Sequence, residues 1–253
     1  MGKVISIANT KGGVGKTSLT LGIGASLNQL GQRVLLVDMD SASALTYAIL
    51  GDDAGDLELS IYDVLISDTR HLEEILIEAG QGLYLLPSSL SLDNLEADAR
   101  DRKQYLLRDR LKALRKEFDW ILIDTPPRLG LLSINALVAS DGVWTAIIAD
   151  ILSYRALFGL RSIIEEIAAR YNKGLELEGI IINFYDRRRN LERFIREKVL
   201  KEYKDIAFKA SIRRSVAVPE SIMVGKTIFQ HASRNPVASD LLGLAREILR
   251  REG

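Results

Sequence analysis

The 253-residue chain has no cysteine, two histidines and five prolines. The missing thiols exclude disulfides, thiolate zinc sites, iron–sulfur clusters and cysteine nucleophiles, a usage that suits a reducing cytosol. His71 and His231 stand alone in the sequence, which argues against a histidine metal cluster or a Ser-His-Asp triad. His71 is expected on a solvated helix face beside Glu73 and Glu74. Basic and acidic residues balance at 34 each, so the whole molecule is not a polycation. No apolar run approaches the length of a membrane span, and the start lacks a secretory signal. Met1-Gly2 with Ser6 fits a myristoylation pattern, but Val4, Ile5 and Ile7 are needed in a first strand. No proline-rich linker, low-complexity tract or repeat divides the chain. With 47% hydrophobic residues, residues 1–253 are expected to form one large α/β domain.

What the chain does have is concentrated near its start. Val4-Ile5-Ser6-Ile7-Ala8 reads as a buried strand, and Leu19, Ile23, Leu27 and Leu30 mark a helix. Between them lies Lys11-Gly12-Gly13-Val14-Gly15-Lys16-Thr17-Ser18. Strand, glycine-rich turn and helix make a phosphate cradle. Glycines let backbone N–H groups converge on an anion, Lys16 reaches the terminal phosphates, and the Thr17 hydroxyl ligates Mg²⁺. The usual pattern has glycine five residues before Gly15; here that position is Thr10, and a second lysine, Lys11, opens the loop.

Val34-Leu35-Leu36-Val37-Asp38-Met39-Asp40 reads as a second parallel strand, covered on both faces and ending in two carboxylates. Ligands of such sheets bind beyond the carboxyl ends of the strands. One carboxylate there can hold a water of the Mg²⁺ shell while the other orients an attacking water. A third strand, Trp120-Ile121-Leu122-Ile123-Asp124, ends in a carboxylate facing the Mg²⁺ shell. Pro126-Pro127 stiffens its exit, and Gly130 loosens the loop beyond.

The segment with two lysines resembles the deviant Walker A motif of the ParA/MinD family of ATPases, and Leu129 to Leu137 resembles its ParA (Soj-like) branch. The resemblance implies a doubly wound, mostly parallel sheet flanked by helices, with ATP and Mg²⁺ as cofactors. It implies that Lys11 reaches across a nucleotide-sandwich homodimer to the partner's phosphates, as an internal counterpart of an arginine finger. It gives Asp40 the hydrolytic role and Asp38 a metal role through water. The ATP-binding set is then Lys11, Gly12, Gly13, Val14, Gly15, Lys16, Thr17, Ser18 and Asn183; the metal set is Thr17, Asp38 and Asp124. Two departures stand out. The family commonly follows its aspartate with Pro-Gln-Gly-Asn, where this chain has Ser41-Ala42-Ser43-Ala44. Arg214 matches a family arginine, but Arg213 replaces a proline and Ala217 a basic residue. The absence of cysteine excludes the nitrogenase-type iron protein, a relative with the same fold.

Further along, Ser60-Ile61-Tyr62-Asp63 predicts a capped short helix and Leu72 to Ala79 another. Gly82 to Pro87 predicts a strand leaving the core, and Leu106 to Leu114 a charged surface helix. Val143 to Ala149 and Gly179 to Asn183 predict buried strands separated by a helix from Ala156 to Ala169. Asn183 either presents its amide to an adenine edge or is a turn asparagine. From Arg187 to Arg214 there are eleven basic residues against four acidic ones, the electrostatic footprint of phosphate binding. Arg187, Arg188, Arg189, Arg193, Arg196, Arg213 and Arg214 are the candidate DNA contacts. The first strand begins at once, so no separate N-terminal DNA-binding domain is expected.

By resemblance, three functions compete. One is a partition ATPase that binds duplex DNA non-specifically, is triggered by a ParB-like centromere-binding activator, and works at the nucleoid in the cytoplasm. Another is a MinD-like membrane switch, which needs an amphipathic C-terminal anchor. Leu241, Leu244, Ile248 and Leu249 form a stripe there, but bulky aromatics are missing and core packing accounts for it, so no membrane partner is expected. The third is a metabolic ligase or kinase on the same nucleotide fold.

Overall fold

Apolar runs of four to ten residues form the strands of one eight-stranded sheet in the computed structural model, which describes residues 1–97 and 101–252. These strands are β1 (Lys3–Ile7), β2 (Val34–Asp38), β3 (Ile77–Gly80), β4 (Leu83–Leu86), β5 (Trp120–Asp124), β6 (Gly142–Ile148), β7 (Glu176–Tyr185) and β8 (Ala207–Arg213). Their order is β3-β4-β2-β5-β1-β6-β7-β8, and every neighbouring pair is parallel except β3 with β4. The helices are α1 (Lys16–Gln29), α2 (Ala44–Leu50), α3 (Ile61–Ile66), α4 (Leu106–Leu114), α5 (Leu131–Ala139), α6 (Ile151–Arg170), α7 (Asn190–Glu202), α8 (Ala217–Met223), α9 (Ile228–Ala232) and α10 (Pro236–Glu252). Sheet and helices together make the doubly wound α/β fold expected from the alternating pattern.

Alternate side chains of each central strand serve opposite cores. Val34 and Leu36 of β2 pack with α1 and α10, whereas Leu35 and Val37 pack with α3, α4 and α5. Helix α1 is buried on nearly every side, as expected of a central helix rather than an amphipathic surface one. Its Gly22 lets Leu241 of α10 approach so closely that an added Cβ would sit 3.0 Å from the leucine methyls.

Two expectations are corrected. Leu72 to Ala79 is not a helix: a single 3₁₀ turn spans Leu72–Ile75, and β3 follows. Gly80 and Gly82 both take positive φ, of 150° and 83°, so the chain reverses sharply and β3 pairs with β4. The segment Leu83–Leu86 does not leave the core either; it is largely buried and runs parallel to β2. His71 is exposed ahead of the 3₁₀ turn, where its N–H donates to Glu74 Oε1 at 2.7 Å.

The C-terminal stripe belongs to the core. Leu241, Leu244 and Ile248 are at most 2% exposed, and among the described residues no helix is long and apolar enough to cross a membrane. Leu244→Ala should therefore cost about 2–5 kcal/mol. Urea denaturation would read this as a lower midpoint at unchanged slope; an unaltered midpoint would show that α10 is not part of the core.

Candidate nucleotide site

β1 lies between β5 and β6, and the loop from Ala8 to Gly15 rises from its C-terminal end into α1. Gly13 and Gly15 adopt φ of 74° and 86°, left-handed values that glycine takes without strain. The first hydrogen bond of α1 runs from Leu19 N–H to Gly15 O at 2.9 Å, and no side chain caps that end. The N–H groups of Lys16, Thr17 and Ser18 consequently have no helical acceptor, and the positive end of the helix axis points out between them.

Both ends of the loop are braced. Asn9 Oδ1 accepts the Lys11 N–H at 2.8 Å, while Asn9 Nδ2 donates to Thr145 Oγ1 and to Ala146 O on β6. Asn183, buried on β7, donates from Nδ2 to Val14 O at 2.8 Å. Asn183 is thus a strand residue opposite Ile148, which corrects the turn reading. Asn9 carries no pattern that would single it out in the sequence beyond its place between strand and glycine-rich turn.

Lys16 is 8% exposed, and burial lowers its pKa against the opposing pull of Asp124 and Asp40. Thr17 Oγ1 donates to Asp124 Oδ2 at 2.6 Å; the Thr20 hydroxyl, one turn further along α1, lies 3.0 Å from Lys16 O and 3.3 Å from Asp124 Oδ1, sharing its one proton between them. Asp38 faces Asp124 in the register of β2 and β5, and both are fully buried. Asp38 Oδ2 accepts from Thr46 N–H and Oγ1 at 2.9 and 2.8 Å, and its Oδ1 accepts the Asp40 N–H at 3.1 Å. Thr20 and Thr46 escape a sequence reading because a threonine inside a helix carries no motif.

Burial raises the pKa of both carboxyls, Asp38 to about 6 and Asp124 to about 8, and Asp38 repels Asp124 further. Such a pair fits a divalent cation, whose charge would hold both groups ionised. Among the described residues no group of three or more acidic or histidine side chains forms a closed cation cage. An octahedral ion that keeps waters and takes phosphate oxygens needs no such cage, which is the Mg²⁺ habit.

Asp40 sits one step beyond the pair, partly exposed. Its Oδ1 accepts the Ala42 N–H at 3.1 Å and its carbonyl accepts from Ser43 N–H and Ser88 Oγ. Ser43 stands where the family pattern has glycine, and it takes φ 54°, ψ 30°. The altered segment thus has a left-handed residue at this position, a conformation that costs a residue with a Cβ about 1–2 kcal/mol.

The basic region is divided. Arg188 makes a two-pronged contact with Asp186, Arg189 pairs with Asp186 and Glu192, and Arg213 grips Asp240 through Nε and Nη2 at 2.6 and 2.8 Å. Arg196 is held by Ser211 Oγ and Lys209 O. Arg187, Arg193 and Arg214 have no carboxylate partner among the described residues; Arg214 lies over the Phe184 ring, 5.1 Å from its centroid. Arg187, Arg214 and Phe184 line a cleft of about 1210 Å³ beside the C-terminal ends of β6, β7 and β8.

The raised carboxyls have a consequence for stability. Between pH 4 and about 8 the folded chain holds a proton on Asp124 that the unfolded chain releases, so stability falls as pH rises through this window. We expect the nucleotide-free protein to lose about 3–4 kcal/mol between pH 5.5 and 8.5, and Asp124→Asn to remove most of that loss. Thermal melts across this range test it; an equal slope in parent and variant would remove Asp124 as the source.

The family described as an AAA domain matches residues 2–177. The sporulation initiation inhibitor protein Soj of Bacillus subtilis is 35% identical over 250 residues, covering 98% of each chain. The chromosome partitioning protein ParA of Caulobacter vibrioides is 32% identical over 254 residues, covering 99% of this chain and 95% of that one. A Mycobacterium smegmatis structure described as cobyrinic acid a,c-diamide synthase, with bound ATP analog and magnesium, superposes with a TM-score of 0.86 at 31% identity, covering 100% and 96% of the two chains. The phosphate loop with two lysines, the two strand-end carboxylates behind it and similarity over the full length place the chain in the ParA/MinD family of deviant Walker A ATPases.

Proposed function

We propose that residues 1–253 act as one ATPase domain and as an ATP-dependent dimeric switch for DNA partition. With ATP and Mg²⁺ bound, two copies pair and bind duplex DNA without sequence preference, and hydrolysis stimulated by a ParB-like centromere-binding partner releases them. The observation that carries this reading is the division of labour between two lysines on one loop. Lys16 is buried at its own α1 terminus, whereas Lys11 keeps its ammonium at the rim, on Asp150 and Ser153. Leu129, Ile151 and Leu152 expose apolar surface around the same end of the sheet, which supports a second copy as the partner there.

When bound, Mg²⁺ supplies charge neutralisation for the phosphates. Thr17 and Asp124 would hold it, Asp124 and Asp38 through water. Lys16 and the N–H groups at the start of α1 bind the phosphates. Asp40, beyond the buried pair, orients the attacking water, and Lys11 of each protomer stabilises charge on the other's nucleotide. Asn183, tied to the phosphate loop through Val14, is our proposed contact for the adenine. Association with DNA would put the protein at the nucleoid.

Two other readings remain distinct. The apolar stripe of α10 packs into the core, so it gives the membrane reading no support. The Mycobacterium smegmatis neighbour supports an ATP-dependent ligase, which would require a small-molecule acceptor for turnover.

For the chemistry, Lys16→Ala should abolish tight ATP binding, because the phosphate charge loses its buried cation. Asp40→Ala should keep ATP and prolong the dimer while suppressing hydrolysis. Lys11→Ala should impair nucleotide-dependent dimerisation more than monomer binding. Nucleotide titration, sedimentation and phosphate release measure all three; a Lys11→Ala protein that dimerises and turns over like the parent would overturn the assignment.

For DNA, one protomer offers few phosphate contacts, and pairing two patches makes the second engagement intramolecular. Gel-shift titration with unrelated duplexes should show binding with ATP, little with ADP, and a steep fall with salt. Neutralising Arg187, Arg193 and Arg214 together should lower the salt slope by roughly two to five in a dimer, while Arg213→Ala should act through its tie to Asp240. Equal binding in ADP and ATP, or none at low salt, would overturn the DNA reading.

A further inference from the structure

Lys11 has a partner inside its own protomer. Its Nζ lies 3.1 Å from Asp150 Oδ2 and 3.0 Å from Ser153 Oγ, at the start of α6. The contact is built into the helix terminus. Asp150 is the N-cap: its Oδ1 accepts the Ser153 N–H at 2.7 Å, and its Oδ2 accepts from both Lys11 and Ser153 Oγ. Without that carboxylate the positive end of α6 would repel an ammonium. The backbone of Lys11 is pinned by Asn9, so only its side chain is free to swing. When Lys11 leaves, Asp150 keeps both Ser153 donors, so departure strands no carboxylate oxygen.

We infer that Asp150 and Ser153 are positioning residues that park Lys11 in its own protomer and thereby set the concentration at which nucleotide-loaded copies pair. This rests on the proposed role of Lys11 across the dimer. A lysine cannot serve its own Asp150 and a partner's phosphates in one geometry, so dimerisation must break two such contacts, one per protomer. Both side chains are about one-third exposed, and an ion pair of that exposure is worth roughly threefold in an equilibrium. Two of them amount to about tenfold in the dimerisation constant. The parked state favours the ATP-loaded monomer and moves the transition to dimer to higher protein concentration.

Sedimentation velocity at saturating, slowly hydrolysed ATP analogue tests the idea. Asp150→Asn removes the charge but keeps a side chain that caps helices equally well, so α6 should persist by circular dichroism. We expect its dimers to appear at about tenfold lower protein concentration, with monomer affinity for nucleotide unchanged, and Ser153→Ala to shift in the same direction by less. In a Lys11→Ala background the Asp150→Asn gain should vanish. Asp150→Asn that dimerises no better than the parent, or worse, overturns the parking role while an impaired Lys11→Ala leaves the function of Lys11 standing. A gain that persists without Lys11 also overturns it. Parent-like dimerisation by Lys11→Ala would defeat the role of that lysine across the dimer, and the parking role with it.

Discussion

Two carboxylates buried side by side govern the arrangement of this molecule. Asp38 and Asp124 end adjacent parallel strands at the same register, and neither has solvent access. Two charges in such a place repel each other and lose hydration, so the fold must either protonate them or surround them with donors and cations. It does both. Thr46 and the Asp40 N–H serve Asp38, Thr17 and Thr20 serve Asp124, and Lys16 sits close enough to pull on Asp124. The helix termini of α1 and α2 are thereby tied to the carboxylates through their threonines. A cation entering this place meets charge already concentrated by the sheet, with little rearrangement left to make.

The loops around that pair are fixed by hydrogen bonds to strands as well as by the packing of Val14 and Met39. Asn9 ties the phosphate loop to β6 and Asn183 ties it to β7, so strands on one side of β1 set the position of a loop that leaves β1 itself. Gly15 must be glycine here for two reasons: its φ is positive, and an added Cβ would collide with the Asn183 amide. On the other side, Ser88 holds the Asp40 carbonyl and Thr46 also accepts the Ser88 N–H. The hydrolytic candidate Asp40 is therefore coupled to β4 through its carbonyl, while its carboxylate turns back on Ala42.

Much of this was legible in the sequence because the signals were local. Continuous apolar runs ending in aspartate specify parallel strands and place their carboxylates at one end of the sheet, which is why Asp38, Asp40 and Asp124 could be grouped with Lys16 and Thr17. The segment after His71 was misread because two glycines, not hydrophobic periodicity, decide its path. Asn9, Thr20, Thr46, Asp150 and Ser153 were missed for a different reason. Each acts through a contact between elements far apart in the chain, and a single polar residue beside a helix start has many ordinary uses. Ser43 shows the converse: the sequence departs from the family pattern at a glycine, and the serine there takes a left-handed conformation.

Charge counted along the chain also differs from charge available at the surface. The stretch from Arg187 to Arg214 reads as a block of positive residues, but the fold commits several of them internally. Arg213 straps β8 to α10 through Asp240, and its N–H bonds the same carboxylate at 3.1 Å, a bond that a proline in this position could not make. Arg196 spans from α7 to the backbone of β8. Among the arginines, what remains for a polyanion is a smaller set, Arg187, Arg193 and Arg214. A small patch gives weak contact from one protomer, so strong attachment depends on joining two of them. Under the proposed function, that arithmetic favours a switch in which nucleotide controls DNA affinity through pairing alone, with no rearrangement of the patch itself.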